Sequence, residues 1–278
     1  MDLLNLFWVF IVLTTVLPMV QKWLLERARL GAMRELERVR GSRVVTLIHR
    51  QESMALLGFP IARYIDIDDS ERLLRAINLT PTEMPIDIVL HTPGGLVLAS
   101  EQIADALVKH KGTVTVFVPH YAMSGGTLIA LAADAVVMAP HAVLGPVDPQ
   151  IGQFPAASIL SVLEMKPAAE IDDLTFILAD IARKAQKQVL RLVQELLEGN
   201  GMASEQAAAL AHTLASGQWT HDYPIGVEEA IALGMPVQMG LPAEVYRLMD
   251  FYPQPAQRNA SVQFIPMPYT QPDRPRSR

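Results

Sequence analysis

The chain has no cysteine. Disulfides, thiolate metal sites and cysteine nucleophiles are therefore excluded, and redox logic does not fix the compartment. It also lacks an excess of positive charge: 23 Lys and Arg stand against 29 Asp and Glu, for a net charge of −6. Bulk nucleic-acid binding wants a basic surface, so no nucleic-acid partner is expected. The nucleotide-cradling spacings GxxxxGK[ST] and GxGxxG are missing, and no internal repeat is present. Neither a metal nor a cofactor is expected.

Charge is missing from one long run as well. From Leu3 to Val20, "LLNLFWVFIVLTTVLPMV" is interrupted only by Asn5, Thr14, Thr15 and Pro18. A membrane-spanning helix needs about 17–25 such residues, and Lys22 and Trp23 come next as interface residues. Asp2 replaces the positive start of a signal peptide, and no small-x-small site closes the run. Residues 1–21 therefore read as a single membrane anchor. Beyond it lies a basic helical stalk over 22–43, where Arg27, Arg29, Arg34, Arg38, Arg40 and Arg43 outnumber Glu26, Glu35 and Glu37. The positive-inside rule places the remainder of the chain on the cytoplasmic side of the cell membrane.

At 278 residues the chain suits one large domain plus appendages. After the stalk, short apolar runs at 44–49, 62–67, 86–91, 113–119 and 135–139 read as buried strands. Helical periodicity separates them at 68–79, with Asp68, Asp69 or Ser70 as its cap, and at 97–110. Strands alternating with helices predict an α/β domain, here 44–251, with a mostly parallel sheet. A long helical stretch occupies 168–199, with shorter ones at 203–216, 227–234 and 242–249. Residues 252–278 form a proline-rich tail.

Two strand ends carry unusual chemistry, and open α/β sheets build their sites beyond strand carboxyl ends. "LHTPGG" places Gly94 and Gly95 between a strand and a helix, and "YAMSGG" places Ser124 before Gly125 and Gly126 in the same setting. Glycine pairs mark tight turns. With neither phosphate-loop spacing present, two such turns, one holding a serine, suit an oxyanion hole.

"HTPGG" and then, about 30 residues on, "AMSGGTLIALAADAVVMAP" resemble the Clp-fold serine peptidases, which include signal peptide peptidase A and the Clp protease proteolytic subunit. The resemblance is closest to the membrane-anchored serine dehydrogenase proteinase family and covers roughly residues 44 to 237, ending in "GVEEAIALGMPV". It implies a Clp/crotonase-like fold of repeated β-β-α units and a homo-oligomer acting on peptide or protein substrates near a lipid membrane. It assigns Ser124 as nucleophile and the N–H groups of Gly95 and Gly125 as the oxyanion hole. Two other classes use the same frame: a crotonase-like acyl-CoA enzyme, with no need of Ser124, and a catalytically silent membrane scaffold.

A serine hydroxyl needs a base. Aligned on the Clp subunit's histidine strand, "APHAVLG" puts Gly145 or Pro146 where that histidine would sit. His141 reads as a turn residue, and His91, His120 and His221 as candidate substrate-side groups. The resemblance to lysine-using relatives leaves Lys166, before Pro167, and Lys184 and Lys187 in the long helix. An apolar stripe through Leu174, Leu178, Ile181, Ala185, Val189, Leu192 and Leu196 turns Lys187 to solvent and puts Lys184 at its margin. The resemblance, which places the base in this helix, selects Lys184 and a Ser–Lys dyad. A free lysine has a pKa of about 10.4, so such a base must be desolvated, and Asp180 one turn earlier opposes this.

Overall fold

Short runs rich in Val, Ile and Leu alternate with amphipathic helices, and the computed structural model, which describes residues 7–8, 10–50 and 63–252, shows what they build. A π-helical turn at Val12–Val16 enters α1 (Leu17–Arg40), and the chain continues through β1 (Arg43–Ile48), α2 (Ile67–Asn78), β2 (Ile86–His91) and α3 (Val97–Val108). Then come β3 (Val114–Val118), β4 (Tyr121–Ala122), α4 (Gly125–Leu131), β5 (Ala135–Met138) and β6 (Val143–Leu144). A hairpin of β7 (Gln150–Ile151) and β8 (Phe154–Pro155) leads into α5 (Ala156–Met165) and a 3-10 turn at Ala168–Glu170. The last elements are α6 (Asp173–Gly199), α7 (Ser204–Ala215), α8 (Val227–Ala232), β9 (Val237–Met239) and α9 (Ala243–Asp250).

The main sheet has the order β1-β2-β3-β5-β9, and every pairing in it is parallel. All residues of β2 and β3 are buried, which is why those strands read as unbroken apolar runs. A second, thinner layer crosses the carboxyl ends of the strands. It consists of the bridges Ile65 to Gly95, Thr92 to Ala122 and Leu144 to Ile225, together with the β4–β6 pair. Strand, short extended piece, helix is the repeating β-β-α unit, and each unit's short piece bridges to the next.

The run at 62–67 differs from its expected strand. Residue 62 lies outside the described residues, and Ile65 makes a single bridge before α2 begins at Ile67. Asp66 ends the extension because it caps the helix: it accepts from the Asp69 N–H at 3.0 Å, and Asp69 accepts from the Asp66 N–H at 3.1 Å. The cap therefore precedes Asp68, Asp69 and Ser70.

The basic stalk is also not a free-standing helix. Leu36 of α1 is wholly buried with Val44, Val89 and Phe117 of the sheet and Val245 and Leu248 of α9. Each such side chain contributes about 1.5–3 kcal/mol. Arg40 then grips the start of β2, with its Nε 2.8 Å from an Asp87 carboxylate oxygen that also accepts from the Ser42 hydroxyl at 2.6 Å. This hydrogen bond to Asp87 raises the Arg40 pKa further. Arg29 donates to the Phe251 carbonyl at 2.8 Å and lies over the Tyr252 ring, whose hydroxyl is 3.2 Å from the Thr46 hydroxyl. The tail beyond Tyr252 lies outside the described residues.

Leu3–Leu6 and Val9 of the expected anchor lie outside the described residues too. Among the described residues no helix is long and apolar enough to cross a membrane. Those that remain of the run are helical and, apart from the half-buried Ile11, exposed, Trp8, Phe10, Leu13 and Met19 among them.

Candidate active site

Ser124 stands at the N-cap of α4 with φ 50° and ψ −115°. Among the described residues it alone, glycine aside, has a positive φ. Such a conformation costs about 1–3 kcal/mol and persists only where its surroundings over-determine it. They do so here. The Gly126 N–H donates to Met123 O at 2.8 Å and the Thr127 N–H to Ser124 O at 2.9 Å. The Thr127 hydroxyl lies 2.9 Å from Ala122 O and 2.8 Å from Gly145 O, and accepts the Gly145 N–H at 3.1 Å. Every residue of α4 is buried, so the apolar run after Ser124 anchors the turn in the core.

The other glycine turn folds against this one. Gly94 takes φ 102°, and a Cβ there would lie 2.8 Å from the Ser124 Cβ. At Gly95 a Cβ would meet the backbone of Ile65 at 2.2 Å. The Ile65–Gly95 bridge uses the carbonyl of Gly94 and the N–H of Leu96, which turns the Gly95 N–H the other way. At Gly125 a Cβ would lie 3.5 Å from Gly95 N and 2.2 Å from the buried Ser100 hydroxyl oxygen. The two N–H groups assigned to the oxyanion therefore come from neighbouring backbone. Among the described residues neither has an acceptor, Gly125 because it opens its helix. A hydroxyl on a strained turn beside two unpaired N–H donors is equipment for acyl transfer.

Thr92 links the two turns. Its N–H donates to Tyr121 O at 3.1 Å, and its carbonyl accepts the Met123 N–H at 3.0 Å. Its hydroxyl oxygen accepts the Gly94 N–H at 3.2 Å and lies 3.0 Å from His49 Nδ1. The far nitrogen of His49 is 3.2 Å from the Asp69 carboxylate. Burial lowers the His49 pKa, against the pull of Asp69. Sequence reasoning missed this chain of contacts; its one visible signal is a histidine at the end of the first strand run.

Lys184 is brought to none of these groups. Its side chain is 69% exposed and pairs with Asp180. The buried stripe of α6 runs through Ala179, Ala182, Val189, Val193 and Leu196 instead of Leu174, Ile181 and Ala185. At 100° per residue, Lys184 stands about 200° from Ala182, facing solvent with Lys187. The inward reach expected of Lys184 is therefore not made by this chain. Lys166 ends α5 in an extended conformation, as the residue before Pro167 must, and among the described residues it has no ion-pair partner. Met165 beside it and Leu174, Phe176, Ile177 and Ile181 are all exposed.

The histidines divide. His91 is fully buried, packed against the rings of His120 and Tyr121, and burial, aided by Arg50, lowers its pKa to about 3. It cannot touch substrate. His120 and His141 are exposed. His221 Nδ1 lies 2.8 Å from the buried Asp148 carboxylate, which also accepts from Gln150 at 2.7 Å. That pair fixes the loop leading to β7. Gln150 and Ile151, with Val97, Glu101, Gln188 and Leu192, line a groove of about 330 Å³ that starts two residues beyond Gly95. The segment 145–158, whose sequence suits either a lining for the substrate groove or a rigid proline loop, has no regular structure over 145–149 and then forms the β7–β8 hairpin, turned at Gly152, and the first turn of α5.

The family model described as "ClpP-like SDH-type serine proteinase" matches residues 1–277 of this chain. "Uncharacterized protein MJ0137" of Methanocaldococcus jannaschii is 52% identical over 266 residues, covering 96% of this chain and 93% of that protein. "Membrane protein NfeD1b" of Bacillus subtilis is 30% identical over 131 residues, 45% of this chain and 30% of that one. Among solved structures, the 1510-N membrane-bound stomatin-specific protease is similar at 21% identity and a TM-score of 0.45, over 68% of this chain and 79% of that one.

Proposed function

The chain belongs to the family of ClpP-like SDH-type serine proteinases, and on that premise we propose that this serine peptidase attacks peptide carbonyls with Ser124. The observation that carries the reading is the Ser124 turn, strained to φ 50° and set against the unpaired N–H groups of Gly95 and Gly125. Ser124 Oγ adds to the carbonyl carbon while an amine takes its proton. The carbonyl oxygen, now an oxyanion, accepts from Gly95 and Gly125. The same proton passes to the leaving nitrogen as the peptide bond breaks, and water releases the acyl group by the same steps in reverse order.

The amine is the open part of the machine. Lys184 is engaged by Asp180 in solvent, whereas proton abstraction needs a desolvated, neutral amine. Lys166 is exposed too, but among the described residues it makes no ion pair, so no carboxylate has to release it before a partner covers it. A second copy of the chain covering Met165, Leu174, Ile177 and Ile181 would remove water from this region. Self-association is accordingly part of the reading, and so is the membrane: the exposed apolar side chains of Phe10, Val12, Leu13, Val16, Leu17, Met19 and Val20 suit a bilayer. The substrate is an extended peptide segment of a membrane or membrane-proximal protein, lying along the groove between Val97 and Gln150.

Incubation of the full chain with a fluorophosphonate, and peptide mapping of the product, tests the nucleophile. The adduct is expected on Ser124, and S124A is expected to lose both the adduct and peptide cleavage while melting at the wild-type temperature. Cleavage by S124A at the wild-type rate would remove Ser124 as the nucleophile, and a wild type that neither labels nor cleaves would return the acyl-CoA or scaffold readings.

A further inference from the structure

Thr92 is wholly buried and bonded to both glycine turns, so it touches no substrate. Its backbone holds the strand that delivers Ser124, and its hydroxyl holds the Gly94 N–H one residue before the oxyanion donor Gly95. Its methyl group packs against Gly126, where a Cβ would come within 2.6 Å of it. We propose that Asp69, His49 and Thr92 form a positioning relay that aims the Gly95 N–H at the oxyanion. The inference rests on the peptidase reading and deepens it.

The relay has one consistent direction of donors. With His49 neutral and its proton on Nε2, that N–H donates to Asp69, while Nδ1 accepts from the Thr92 O–H. The Thr92 oxygen is then free to accept the Gly94 N–H at 3.2 Å. Protonated His49 donates from Nδ1 as well. The Thr92 O–H must then turn to the Gly94 carbonyl, which lies at 3.4 Å, too long for a good bond. Gly94 and with it Gly95 are held differently in the two states. A displacement of this kind at a catalytic donor costs up to about 10²-fold in rate.

The charged and titratable groups around His49 are Asp69 and Asp66 on the α2 side, Arg63 in the segment before it, Arg50 next in the chain, and His91, which is neutral, on the neighbouring strand. Burial outweighs the carboxylates and keeps the ring neutral at neutral pH. The relay is therefore intact at pH 7 and fails below the ordinary histidine range of about 6.5.

Thr92→Val keeps the shape and removes the hydroxyl. In the full chain it is expected to lower kcat and the rate of fluorophosphonate labelling by about 10- to 10²-fold, with KM near wild type and the melting temperature somewhat lower, because the Gly94 N–H and His49 lose a buried partner. Thr92→Ser should restore the rate. His49→Gln mimics the neutral tautomer without titrating, so it should remove the extra loss of labelling that the wild type shows below pH 6.5. Independently of activity, the imidazole ¹⁵N shifts of His49 should report the Nε2–H tautomer. Equal labelling rates for wild type and Thr92→Val, an unchanged acid limb in His49→Gln, or an Nδ1–H tautomer would each overturn the relay alone. A wild type that takes no label at Ser124 would overturn the peptidase reading, and the relay with it.

Discussion

The two regions that the proposed reaction calls on are built in opposite ways. On the sheet side, Thr92, Gly94, Gly95 and Ser124 are buried or half-buried, cross-bonded through backbone, and closed to any added side chain. On the α5–α6 side, Lys166 and Lys184 are exposed, the nearest ion pair faces water, and five large apolar side chains have no cover. On the reading proposed above, a single chain completes the electrostatic half of the site and leaves the proton-transfer half to be finished by a second copy. The rigid half must be right before substrate arrives, since preorganised donors are worth most when they need not move. An amine base gains its low proton affinity from exclusion of water, which this chain does not supply by itself.

The sharpest way to break the contrast is to exchange the lysines. Lys166→Ala is expected to lower kcat by about 10²- to 10⁴-fold, the worth of a general base, while Lys184→Ala stays within a few-fold of wild type in a fluorogenic peptide assay. The opposite result would return the dyad to Lys184 and require Asp180 to release it. Next in size is the rigid half. Gly95→Ala forces the Ile65 backbone away from a Cβ it would meet at 2.2 Å, and about 10²- to 10³-fold in acylation rate should go with the displaced donor. A mild effect in stopped-flow labelling would mean that the second layer of the fold yields more easily than its bonding suggests. The smallest effect concerns cover. Ile177→Asp should shift the particle to lower mass by light scattering and reduce activity several-fold at fixed chain concentration. An unchanged mass would move the self-association surface elsewhere.

Much of the frame is legible because it is local. Val and Ile runs bounded by turn residues predict β1, β2, β3 and β5 within a residue or so, and the two glycine turns stand where strands meet helices. The features that escape a sequence reading are non-local. Asp69, His49 and Thr92 are distant in sequence and adjacent only once α2 packs beside β1, and Asp148 with His221 is the same case. The phase of α6 is misread for another reason. Its first half packs on α5 through Ala179 and Ala182, small residues that a search for large apolar side chains passes over. The large ones, Leu174 and Ile181, look like core in the sequence and are exposed.

The grip of Arg40 on Asp87 and of Arg29 on Phe251 gives the molecule a direction. Arg40 meets β2 at its start, whereas Arg29 lies level with Thr46, late in β1, through Tyr252. Traced backwards, α1 therefore climbs the sheet towards the strand carboxyl ends, the end at which Ser124 sits. From Arg29 to its first residue, Leu17, it continues by about 18 Å at 1.5 Å per residue, and the π-helical turn carries it further. The helix acts as a mast clamped to the hull, and the cutting edge looks up the mast. If the apolar tip lies in a bilayer, as proposed, such a molecule would select scissile bonds by their height above the lipid before it reads a single side chain.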